Sequence, residues 1–105
     1  MKPLFESIPL VINEGKKRFE IQIQGNYAFI NFSIFGTQIA LRHTETDPEL
    51  AGTGAASAIV EKTLHYIEDQ QLKLLPFCPF VFAYIKRHAE WKRIVSAKFK
   101  DYDKL

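Results

Sequence analysis

The chain has 105 residues, of which 47% are hydrophobic and 13% aromatic, and a formal net charge of +2. This is enough apolar mass for one domain with its own core, and a single cysteine excludes an internal disulfide and any cysteine-built zinc site. No apolar run approaches the about 20 residues of a membrane span, and Met1-Lys2-Pro3-Leu4-Phe5-Glu6 carries no apolar signal region; the expectation is a soluble, cytoplasmic protein.

Residues 1–9 hold Pro3 and Pro9 without a sustained period, which predicts an irregular or edge-strand lead-in. Leu10 to Ile12 is short enough for a small strand, stopped by Asn13-Glu14-Gly15-Lys16-Lys17. From Arg18 the period is two: Phe19, Ile21 and Ile23 fall on one face, Glu20, Gln22 and Gln24 on the other. Gly25-Asn26 is a turn pair that favours positive φ. Tyr27 to Phe35 alternates again, with Ala28, Ile30, Phe32 and Ile34 on one side and Tyr27, Phe29 and Asn31 on the other. Gly36-Thr37 closes a second hairpin, and Gln38 to Thr46 supplies the third strand of an antiparallel meander.

Ala56, Ile59, Val60, Thr63, Leu64 and Ile67 recur at steps of three and four, the stripe of an amphipathic helix that fades near Gln70-Gln71. Leu72 to Phe77 is apolar and contains Pro76, which suits a strand parallel to the one before the helix. Pro79 suits the first position of a second helix, with Cys78 near its N-cap and Lys86, Arg87 and His88 at its end. Beyond Trp91 the chain reads as helix or strand, and Asp101 to Leu105 as a frayed tail. The fold class is therefore α+β: one domain over residues 1–105, a meander followed by helix, strand and helix, with a mixed sheet.

The chemistry gathers between His43 and Val60. Gly52-Thr53-Gly54 opens a helix, where backbone N–H groups are left free at the positive end of the dipole and favour an anion. The turn lacks the Lys-Ser/Thr ending of a phosphate loop and the third glycine of a dinucleotide fingerprint, so it is either a phosphate seat or an ordinary helix start. His43 and Glu45 share one strand face, with Thr44 opposite; the imidazole suits a general base and the carboxylate could orient it, or both are a satisfied strand end. Cys78 near a helix N-terminus is either an activated thiol or a small buried hydrophobe. Tyr84 stands at helical spacing from Phe80 and His88, as expected of a core aromatic.

Together these residues resemble the Gcn5-related N-acetyltransferases. The family's pyrophosphate loop is usually Arg/Gln-x-x-Gly-x-Gly/Ala; here Gly54 and Ala56 match, and Ala51 replaces the Arg or Gln. The similarity is sharper to the minimal branch of about a hundred residues, through His43-Thr44-Glu45, Pro48-Glu49-Leu50-Ala51-Gly52-Thr53-Gly54, Cys78-Pro79-Phe80 and Tyr84-Ile85-Lys86-Arg87-His88. It spans roughly residues 10–95 and leaves the tail outside. It implies acetyl-CoA as the acyl donor and no metal. The pyrophosphate would sit on Gly52, Thr53, Gly54, Ala55 and Ala56. Pantetheine would run along the strand end that carries Thr44, where this strand splays from the 72–77 strand. In the wider superfamily a tyrosine on the second helix often protonates the leaving thiolate, which implies that role for Tyr84.

Three functions follow as expectations. The first is an N-acetyltransferase acting on an unidentified amine, directly or through an acetyl-cysteine at Cys78, with His43 or Glu45 as base. The second is a CoA-binding protein with little turnover. The third rests on the basic end, where seven of fourteen cationic residues follow Tyr84, and reads it as a nucleic-acid surface rather than a solvated one.

Overall fold

A computed structural model describes all residues from 1 to 105. Five strands form one sheet in the order β1 (Val11–Asn13), β2 (Arg18–Ile23), β3 (Asn26–Phe35), β4 (Gln38–Thr46), β5 (Lys73–Pro76). The first four are antiparallel neighbours, and β5 runs parallel to β4, so the sheet is mixed and the fold α+β. Helix α2 (Ala55–Asp69) connects β4 to β5, α3 (Pro79–Arg87) follows β5, and a short α1 (Pro3–Glu6) precedes the sheet. No helix is long and apolar enough to cross a membrane.

Alternation along β2 and β3 builds the core wall. Phe19, Ile21, Ala28, Ile30 and Phe32 are buried, and the helical stripe Ala58, Ile59, Val60, Thr63, Leu64 and Ile67 closes over them. Phe19 stacks on Phe32 at 4.7 Å and meets Tyr66 of α2 at 5.4 Å, joining sheet to helix. The helix N-terminus is set by Gly54, whose φ of 92° ends the preceding turn, and its C-terminus by Gln71 at φ 57°. The opposite sheet face has no such cover: Val11, Gln22, Tyr27, His43 and Glu45 are exposed on it.

Four local expectations are corrected. Residues 3–6 form a helical turn rather than an irregular or strand lead-in, because Pro3 occupies a first-turn position and Phe5 buries its ring. The first hairpin turns on Gln24-Gly25, both at positive φ, since Ile23 already pairs with Asn26. Ile34 is 53% exposed, lying past the end of the helix-covered wall. The last residues are not a frayed tail: Tyr102–Lys104 form a 3-10 turn, Tyr102 and Leu105 pack on the core, and Lys92 lies 4.5 Å over the Tyr102 ring. The segment after α3 is a 3-10 helix (Ala89–Ile94) whose end, Val95, bridges in parallel to Leu74.

Glu20 is the one acid buried in the sheet, on the face without helices. Arg18 and Asn13 both donate to its carboxylate, and the Arg18 guanidinium also lies 4.1 Å over Phe29. Desolvation pushes this carboxyl up. The bonds from Arg18 and Asn13, with the charges of Arg18 and Lys16, outweigh it and hold the group below its ordinary value. A depressed folded-state value contributes stability above the unfolded-state pKa, about 4.3, which is lost as pH falls through the folded value. Urea midpoints measured from pH 7 downward should fall for the parent and fall less for Glu20→Gln; superposable profiles would contradict this account.

Candidate functional site

The site begins where β4 loses a neighbour. Pairing with β5 runs from Gln38↔Lys73 to Leu41↔Pro76, and the last bond on that edge is from the Cys78 N–H to the Leu41 carbonyl at 2.8 Å. Pro76 and Pro79 lack N–H groups and turn the chain into α3, so β5 goes no further. From Arg42 to Thr46, β4 pairs only with β3. One edge of that segment thus lies open beside the N-terminus of α3.

A bulge re-aims the side chains there. Asn31 pairs with His43 while the next pair is Phe32 with Leu41, which leaves Arg42 as an extra residue in β4. Arg42 donates to Ser33 at 3.3 Å and lies over the Phe77 ring at 5.4 Å. Strict alternation from Leu41 would put His43 on the core side. The inserted residue shifts the phase, so Thr44, paired with fully buried Ile30, takes the core side instead.

The consequence is two separate pairs. Thr44 Oγ1 lies 3.3 Å from Cys78 Sγ on the core side. His43 Nε2 lies 3.2 Å from Glu45 Oε1 on the open face, and each side chain is 60% exposed. The structure thus brings His43 to Glu45 and Thr44 to Cys78, with the strand between the two. Cys78 is the N-cap of α3, is 2% exposed, and makes no side-chain bond to that helix's N–H groups.

The glycine turn lies next along the chain. A 3-10 turn (Pro48–Leu50) leads into it, and Thr53 folds back, its Oγ1 donating to the Leu50 carbonyl at 2.6 Å and accepting from the Ala55 N–H at 3.3 Å. The Ala58 N–H bonds the Gly54 carbonyl, and the N–H groups of Gly52, Gly54, Ala56 and Ser57 have no acceptor within the chain. Four unpaired donors at a helix start are the kind of groups that can hold an anion. Of the nearby acids, the Asp47 carboxylate accepts from the Tyr27 N–H at 2.7 Å and Glu45 is paired with His43, while Glu61 faces the groove beside Gly54 and Ser57.

Tyr84 is placed apart from Cys78. It stacks on His88 at 4.3 Å and lines a groove of about 280 Å³ between α2 and α3 with Gly54, Ser57, Ala58 and Glu61. Burial and the adjacent Glu61 carboxylate push its hydroxyl up to about 12, so it is a neutral hydrogen-bond donor at any physiological pH. Two contributors had no signal in the sequence. Ser57 offers only its backbone N–H, and Lys2 reaches the Thr53 carbonyl at 3.0 Å from 51 positions away. No cluster of side chains suited to a metal ion is present.

Gly54 holds a left-handed φ that an L-residue adopts at a cost of about 1–2 kcal/mol. An added Cβ would meet nothing nearer than 3.6 Å, so the penalty comes from the backbone and not from a clash. Gly54→Ala should lower the urea-derived stability by that amount, and an unchanged midpoint would contradict it.

β4 thus has a free edge, a buried thiol in contact with Thr44 on that edge, and, in the turn that follows, a helix start with unpaired N–H groups. A family model described as GCN5-related N-acetyl-transferase matches residues 18–94, which covers β2 through the 3-10 helix after α3. The chain belongs to the GCN5-related N-acetyltransferase family.

Proposed function

We propose that the protein transfers an acetyl group from acetyl-CoA to an amine. The observation that carries this is the set of four unpaired N–H groups at Gly52, Gly54, Ala56 and Ser57, in the turn and helix start that follow the open edge of β4. Those donors suit the oxygens of a pyrophosphate. The free backbone of Arg42–Thr46 suits the amides of a pantetheine arm, which would bond to it as a missing strand would. The acetyl thioester then lies at Thr44 and Cys78.

The two faces of β4 divide the work. An amine arriving across the open face meets His43 and Glu45, and the imidazole takes a proton from it. Its nitrogen attacks the thioester carbonyl from the side opposite Cys78, the carbon–sulfur bond breaks, and CoA leaves as the thiolate, which then takes up a proton. Tyr84, neutral and lining the adjoining groove, serves as a donor and not as a base.

The 3.3 Å contact between Thr44 and Cys78 favours a second route through the same site. Here Cys78 Sγ attacks the thioester, its proton passing to the departing CoA sulfur. The resulting acetyl-cysteine then yields its acetyl group to the amine, which restores the thiol.

Calorimetric titration should show saturable binding of acetyl-CoA and of CoA, and an amine panel should release free thiol; binding of neither ligand would contradict the reading. Binding without thiol release from any amine would leave a CoA-binding protein without turnover. His43→Ala should slow transfer about a hundredfold while acetyl-CoA affinity stays at the parent value. Intact mass after incubation with acetyl-CoA separates the routes. A gain of one acetyl group that Cys78→Ala abolishes supports the covalent route, and undiminished transfer by Cys78→Ala rules it out.

A further inference from the structure

We propose that Lys2 is a cofactor-binding residue, its ammonium supplying the positive charge for the CoA phosphates at the Gly52–Ser57 turn. The inference rests on the reading of that turn as the pyrophosphate seat.

The turn has no cation of its own. Between Arg42 and Lys62 the chain carries no Lys or Arg, while Glu45, Asp47, Glu49 and Glu61 all fall there, and position 51 is Ala. The helix start offers roughly half an elementary charge, against two negative charges on a pyrophosphate. Backbone donors alone leave most of that charge unmatched, in a neighbourhood whose fixed charges are acidic.

Lys2 is brought to this place by packing. Phe5, 1% exposed, anchors α1 against the turn; its ring lies 3.7 Å from where a Cβ on Gly54 would stand. The Lys2 stem crosses the same glycine, with Cε at 3.6 Å and Cδ at 3.8 Å from that point. Its Nζ donates to the Thr53 carbonyl at 3.0 Å, in the turn whose Gly52 and Gly54 N–H groups have no acceptor in the chain. An ammonium has three donors and this bond uses one, which leaves two for an anion. Lys2 also lines the groove with Gly54 and Ser57.

Lys2→Met keeps the stem over Gly54 and removes only the charge. In titrations of the full chain, Lys2→Met should bind CoA about tenfold more weakly than the parent, as expected for loss of a charge-assisted bond. Acetyl-pantetheine, which lacks the pyrophosphate, should bind both proteins equally, and Lys2→Arg should restore CoA affinity. Equal CoA affinity for parent and Lys2→Met overturns the assignment. So does equal weakening of CoA and acetyl-pantetheine, which would mean that residue 2 acts only by packing. A parent that binds no CoA sinks the pyrophosphate seat itself, an outcome distinct from parent and variant binding alike.

Discussion

The bond from the Cys78 N–H to the Leu41 carbonyl marks the point on which the site depends. Up to it, β4 is a paired central strand; beyond it, β4 keeps one partner and exposes one edge. Two prolines make the parting permanent. Pro76 and Pro79 flank Phe77-Cys78, neither can donate to a ladder, and Pro79 starts a helix that carries the chain away. A strand edge with free N–H and C=O groups is ordinarily a hazard, because it invites pairing with another chain. Here the edge is only a few residues long, from Arg42 to Thr46, and the chain turns away from it into α3.

The bulge at Arg42 couples that opening to chemistry. One inserted residue moves His43 and Glu45 to the open face and turns Thr44 toward Cys78. The two pairs therefore lie on opposite sides of the sheet, Thr44 and Cys78 on the core side and His43 and Glu45 on the exposed side. The uncovered sheet face carries Phe29, Tyr27 and the Arg18–Glu20 pair beside the His43–Glu45 pair.

The strands and α2 were legible because their signal is local. Period-two alternation from Phe19 to Phe32 and the three-and-four spacing from Ile59 to Ile67 are each settled by burial against one core. The glycine turn was legible for a similar reason: positive φ at Gly52 and Gly54 leaves its mark in residue type. Three features were not. The bulge changes which side His43 faces, but Arg42 is an ordinary strand residue and only the pairing with Asn31 and Phe32 discloses the insertion. The Thr44–Cys78 contact joins positions 34 apart, across a parallel pairing that no spacing rule specifies. Lys2 looks like one surface lysine among many until Phe5 is seen to anchor α1 on the turn. Pro3 read as part of an irregular or edge-strand lead-in where it starts a helical turn, and Tyr102 read as tail where it packs, because both depend on contacts with distant residues.

The central claim is that the backbone of the Gly52–Ser57 turn and the free edge of β4 hold CoA between them. At 105 residues the chain is suited to amide-resolved NMR, and a titration with CoA reads each of those N–H groups individually. The account predicts that the largest shifts fall on the amides of Gly52, Gly54, Ala56 and Ser57 and along Arg42 to Thr46. Shifts confined to the groove between residues 6–10 and the outer side of α2, or to the uncovered face of β1 and β2, with the glycine turn unmoved, would contradict it.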